Sequence, residues 1–199
     1  AVKVSVMRFL RRILRPVFCC SALCSRAQSG EEKLSVPHSA VVYFSHTGNT
    51  RTVAEHIAEL TGVDLFEIKS LTQYPKAYYP STHFVKKEIE SGILPEIEPI
   101  AVDLSDYEVI FVGSPTWWHH IAGVVQRWLL DNDLRGKTIA PFNTHGGGGL
   151  MHCNEDVRRL CPDSNVINNL TVYEDGDFDL DSSILNWLKN KSPTKFLRR

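Results

Sequence analysis

Ser45-His46-Thr47-Gly48-Asn49-Thr50 stands between two stretches of different periodicity. Before it runs Ala40-Val41-Val42-Tyr43-Phe44, a short, continuous apolar segment of the kind that forms a buried strand. After it, Val53, Ala54, Ile57, Ala58 and Leu60 recur at helical spacing. The hexapeptide is therefore a tight polar loop leading from a strand into a helix. Such a turn aims unpaired backbone N–H groups, at the positive end of the helix dipole, toward one point. Ser45, Thr47 and Thr50 add hydroxyls, Asn49 adds a carboxamide, and Gly48 lets the backbone take a positive φ close to a ligand. This donor set suits a phosphate. The competing reading is an ordinary helix cap, which uses the same residue types.

What is missing narrows the ligand. The chain has no Gly-x-x-x-x-Gly-Lys-[Ser/Thr], so no P-loop lysine reaches for the outer phosphates of a nucleotide. It has no Gly-x-Gly-x-x-Gly, so the turn that approaches a dinucleotide pyrophosphate is absent. No cation lies within the loop, although Arg51 follows it directly. A terminal monophosphate wrapped in neutral donors fits best.

Outward from this loop, strand and helix patterns alternate. Residues 63–68, 107–113, 137–142 and 165–172 read as strands, with Pro141 suited to a strand end. Residues 83–91, 121–130, 150–160 and 181–188 read as helices, the last started by Asp181 as a candidate N-cap, and 71–82 reads as a loop. Five strand–helix alternations predict an α/β fold: a parallel sheet with helices on both faces and its ligand at the carboxyl ends of the strands.

Two further loops follow strand ends. Ser114-Pro115-Thr116-Trp117-Trp118-His119-His120 places two indoles and two imidazoles where they are hard to bury together. A flat ligand stacked on one indole accounts for them; a tryptophan plugging the sheet end, with solvated histidines, is the alternative. Asn143-Thr144-His145-Gly146-Gly147-Gly148-Gly149 spends four glycines before a helix, a cost in backbone entropy that makes sense where N–H groups line up beside a ligand.

Taken together, the three loops resemble those of the flavodoxin-like family of FMN proteins, over about residues 39–190. Residues 45–50 look like the phosphate loop, and Pro115-Thr116-Trp117-Trp118 looks like the aromatic flavin-stacking loop. Thr144-His145-Gly146-Gly147 resembles the loop that hydrogen-bonds the pyrimidine end of the flavin ring. Lys137 to Gly147 is especially similar to one microbial branch of the family. The resemblance implies a three-layer sandwich with a five-stranded parallel sheet in order 2-1-3-4-5, and noncovalent FMN. Its implied cofactor-binding residues are Ser45, His46, Thr47, Gly48, Asn49, Thr50, Pro115, Thr116, Trp117, Trp118, His119, Thr144, His145, Gly146, Gly147 and Gly148, with Trp117 as the closer indole. One departure stands out. Electron-carrying members often have a glycine beside the flavin N5, and residues 114–120 contain none.

Composition is that of an ordinary soluble domain, with 43% hydrophobic and 23% charged residues. Charge is distributed unevenly. Residues 1–30 carry six Lys and Arg and no acid, and residues 189–199 carry five and no acid. The body, 31–188, therefore holds all 23 acids against 11 bases, a net −12. An acidic body repels nucleic acid, favours partners with basic patches, and disfavours adding negative charge to a bound flavin. Residues 1–38 are expected to form a basic extension. From Met7 it alternates Leu10, Leu14 and Val17 with Arg8, Arg11, Arg12 and Arg15, as an organelle (mitochondrion-like) transit peptide does. A secretory signal and a disordered arm are the other readings, and residues 191–199 form a basic tail. No apolar run is long enough for stable membrane insertion.

Two of the five cysteines, Cys153 and Cys161, fall in the body, about two helical turns apart and too far to bridge. A metal site of His145, His152 and Cys153 is disfavoured, because adjacent helical residues do not share a face. The functional expectation is an FMN flavoprotein in electron transfer, served by a separate reductase and acceptor. The alternative is an FMN-dependent NAD(P)H:quinone or small-molecule reductase, for which His119 and His145 would be proton sources.

Overall fold

A computed structural model describes residues 36–176 and 178–190. The proposed extension and tail therefore fall outside the described residues, except for 36–38. Within them, β1 (Ser39–Tyr43) is buried at every position and lies between β2 (Asp64–Glu67) and β3 (Val109–Trp117), parallel to both. Side chains alternate between the two sheet faces. Ala40, Val42, Ile110, Val112 and Ile139 enter one core cluster; Val41, Tyr43, Val109, Phe111 and Phe142 enter the other. The first face is covered by α3 (Gly123–Asp131) and α4 (Cys153–Leu160), the second by α1 (Asn49–Thr61) and α5 (Leu180–Asn190). A further helix, α2 (Tyr78–Ser91), follows β2 in the chain. This is the expected α/β three-layer sandwich.

Beyond β3 the sheet continues with β5 (Thr138–His145), and the last strand comes in two pieces, β6 (Asn165–Val166) and β7 (Leu170–Tyr173), each parallel to β5. Counting these pieces as one, the order is the anticipated 2-1-3-4-5. The break corrects the continuous strand expected over 165–172, and its cause is Pro141, which lies inside β5 rather than at its end. The carbonyls of Lys137 and Ile139 accept from the N–H groups of Asn165 and Ile167. Pro141 occupies the next position on that edge and has no N–H to offer. The pairing resumes at Phe142 with Leu170, shifted by one residue, which is a bulge.

The second correction concerns 114–120. Residues 114–117 extend β3, the first two of them alongside β5, and the chain then reverses through Trp118 and His119 into β4 (His120–Ile121) as a two-residue hairpin. Both turn residues have positive φ, 48° and 74°, as a tight hairpin demands, yet neither is glycine or asparagine. Strain of this kind costs of order 1 kcal/mol or more per residue. Two anchors offset it: the Trp118 indole N–H donates to the Thr82 carbonyl at 2.9 Å, and Lys86 lies over the same ring at 5.4 Å.

Helix α2 begins at Tyr78, within the span expected to be loop. Pro80 is accommodated in its first turn, where a missing N–H leaves nothing unsatisfied. Asp181 lies inside the first turn of α5 and accepts from His56 Nδ1 at 2.7 Å, tying α5 to α1. The helix expected from Leu150 starts at Cys153, because Gly149 and Met151 take left-handed backbone before it.

Candidate functional site

The N-terminus of α1 is built as a donor site. Gly48 occupies the cap position at φ 107°, and no side chain caps the helix. The loop is shaped from within, since the Gly48 N–H donates to Ser45 Oγ at 3.1 Å. The first hydrogen bond into the helix comes from the Thr52 N–H to the Gly48 carbonyl, so the N–H groups of residues 49–51 remain available. Thr47 is exposed, and neither its hydroxyl nor the Asn49 carboxamide is engaged with another described residue. Arg51, the nearby cation, is paired with Glu67 and donates to the Tyr43 hydroxyl at 3.4 Å. Its charge is thus answered before a ligand arrives, leaving a set of neutral donors.

Three contacts bring the loops together. The buried hydroxyls of Thr50 and Thr144 are hydrogen-bonded at 2.8 Å, joining the first loop to the end of β5. His46 meets Trp117 edge-on, with centroids 5.8 Å apart, and donates from Nε2 to the Pro75 carbonyl at 3.0 Å. Pro115 lies beside Thr144 in the β3–β5 ladder. Around Trp117, Phe44 and Tyr74 also stand edge-on, so its ring is held within an aromatic cluster. Trp118 turns instead to α2, as its anchors there require. His119 is exposed, and its carbonyl accepts from the His152 N–H.

The glycine loop is positioned by a residue that sequence reading passed over. Asn143 is completely buried at the end of β5. Its Nδ2 donates to Thr116 Oγ1 at 2.6 Å and to the Gly149 carbonyl at 3.2 Å. Its Oδ1 accepts from Asn169 Nδ2 and from Thr171 Oγ1. One carboxamide thus joins β3, the glycine loop and the bulged last strand. Its sequence signal was a lone amide closing an apolar strand. Ser114 acts similarly on the hairpin: its Oγ accepts from the Ala122 N–H at 2.9 Å and donates to the Pro115 carbonyl.

Within the glycine loop, His145 Nδ1 accepts from the Gly147 N–H at 3.0 Å, which leaves the neutral ring's proton on Nε2. The ring stands edge-on to Tyr173. Gly147 has a φ of 128°, and a Cβ at Gly146, Gly147 or Gly149 would meet no protein atom within 4 Å; at Gly148 it would meet only the Met151 terminal methyl. The glycines therefore face open space rather than packed protein. Behind them Cys153 is buried against Thr116, and burial pushes its thiol up to about 11, so it stays protonated and inert. A separate cavity of about 340 Å³ opens on the β2 side of the first loop, lined in part by Ser45, His46, Lys69 and Tyr74. It includes no hairpin or glycine-loop residue.

Comparison with known proteins agrees with this layout. The flavodoxin family model matches residues 38–190. Among solved structures, a provisional flavoprotein of Bacteroides eggerthii is 26% identical and superposes with a TM-score of 0.67, covering 76% of this chain and 96% of its own. A flavoprotein of Lactobacillus acidophilus in complex with FMN is 23% identical, with a TM-score of 0.61 over 73% of this chain and 97% of its own. A match of the family model across three quarters of the chain makes this protein a member of the flavodoxin family.

Proposed function

We propose that the chain holds one FMN across the three loops and carries electrons between separate donor and acceptor partners. The observation that carries this reading is the uncapped N-terminus of α1, with free N–H groups and the unengaged side chains of Thr47 and Asn49. These residues fit a phosphate monoester, and the open space beside Gly146 to Gly149 fits close approach of a flat ring. When bound, FMN supplies the redox chemistry, and the protein tunes it by stacking, hydrogen bonds and charge. Because Trp118 is committed to α2, Trp117 is the indole that offers a face to the ring. The N–H groups of the glycine loop and the His145 Nε2–H are donors for the polar edge. The acidic body disfavours further negative charge at the site and suits partners with basic contact surfaces.

The test is substitution in the first loop. Thr47→Ala and Asn49→Ala each delete a donor to a charged acceptor, worth about 1.5–3 kcal/mol, or roughly ten- to over a hundredfold in affinity. Neither side chain supports the fold, so thermal stability of the apo-protein should stay unchanged. Titration of apo-protein with FMN, followed by quenching of flavin fluorescence, measures the effect. Unchanged affinity in both variants would mean that the phosphate is held elsewhere.

A further inference from the structure

Where the β3–β4 hairpin meets α4, two imidazoles pack together outside the site just described. His120 Nδ1 is 2.9 Å from Asp156 Oδ2, and His152 Nδ1 is 2.9 Å from Glu155 Oε2. Their ring centroids are 5.4 Å apart with planes inclined by 27°. A ring nitrogen donating to a carboxylate fixes the tautomer and leaves the lone pair on the other nitrogen. Both Nε2 atoms are therefore acceptors, and neither is engaged with another described residue. Histidines that ligate metals are held in this manner, with the distal N–H on a carboxylate that orients the ring and raises its basicity.

The ring spacing is compatible with a shared ion. With metal–nitrogen bonds of about 2.0–2.1 Å, a ring centre lies roughly 3.2 Å from the ion, and two rings at a tetrahedral angle stand about 5.2 Å apart. The observed 5.4 Å matches. We infer that His120 and His152 form a two-imidazole site for a divalent transition-metal ion of the Zn²⁺ class. Imidazole donors select such ions over Mg²⁺ or Ca²⁺, which prefer oxygen. No cluster of three or more protein ligands gathers among the described residues, so water completes the coordination and affinity is below that of a closed structural site. Asp156 shows that the support is built in. Its side chain is only 7% exposed, and it also receives the Ile121 N–H and the Arg159 guanidinium. An ion here would clamp the hairpin bearing Trp117 to the helix that follows the glycine loop.

The test follows the imidazole nitrogens of the full chain by two-dimensional ¹H–¹⁵N spectra during Zn²⁺ titration. This readout separates His120 and His152 from ions taken up by cysteines elsewhere in the chain. The expected result is that both Nε2 signals shift together and saturate at one ion per pair. His120→Gln should weaken the response of His152 at least tenfold. Asp156→Asn, which keeps the shape, should weaken binding about ten- to a hundredfold. FMN affinity without Zn²⁺ should be retained in His152→Gln, which reports on folding. Signals of His120 and His152 that stay fixed throughout, or a His152 response indifferent to loss of His120, would overturn the assignment.

Discussion

Replacing Gly113 by alanine is expected to destabilise the protein by about 3 kcal/mol, at the upper end of what overpacking one methyl group costs. Gly113 lies in β3, paired with Tyr43 on one side and Phe142 on the other. A Cβ at this position would lie 2.3 Å from Phe142 Cζ and 2.8 Å from Tyr43 Cβ. Neither neighbour has room to move: Phe142 is 1% exposed and Tyr43 4%. The strand cannot shift either, since the Gly113 carbonyl accepts the Phe44 N–H, which fixes the start of the first loop. Denaturant unfolding of the apo-protein measures the loss. Combining Gly113→Ala with Phe142→Leu should recover at least about 1 kcal/mol, a coupling expected only of residues in contact. A single variant as stable as the parent would contradict the packing described.

Asn143→Asp should have an effect of similar size, by a different route. The substitution keeps the acceptor for Asn169 and Thr171 but replaces the amide donor by a carboxylate oxygen. That oxygen would face the Gly149 carbonyl and the Thr116 hydroxyl in a fully buried position. The thiol of Cys153 and the hydroxyl of Thr116 can rotate to donate, but the Gly149 carbonyl cannot. An unpaired buried acceptor facing a buried charge costs about 2–4 kcal/mol, part of which the aspartate avoids by binding a proton. Folded-state protonation means a pKa raised above the unfolded value, so the variant should be least impaired in acid and lose stability as pH rises. The glycine loop should loosen first, seen as faster amide exchange at residues 146–149. A variant equal to the parent across pH 5–8 would show that Asn143 does not hold the loop.

The legibility of this chain followed the range of the interactions involved. The phosphate-loop turn was readable because its signal is local: an apolar run, polar residues, then helical periodicity, all within two dozen residues. The strand order followed once the flanking loops resembled a known family. Pro141 misled because a single sequence shows where a ladder bond is missing but not which neighbour would have received it. The hairpin was invisible because nothing in Trp118-His119 announces a positive φ; the anchors that impose it, Thr82 and Lys86, lie more than thirty residues away. Asn143 was overlooked for the same reason. Its partners come from three separate elements, and only the folded sheet brings them to one carboxamide.

The central claim, that this member of the flavodoxin family carries FMN as its redox group, is tested most directly by the flavin itself. The protein is purified, its absorption recorded through stepwise anaerobic reduction, and the cofactor then released with acid and identified by chromatography. The account predicts a yellow protein with a flavin spectrum that bleaches reversibly on reduction, and a released cofactor that is FMN at one per chain. A colourless protein that ignores added FMN, or one that releases FAD, would contradict it.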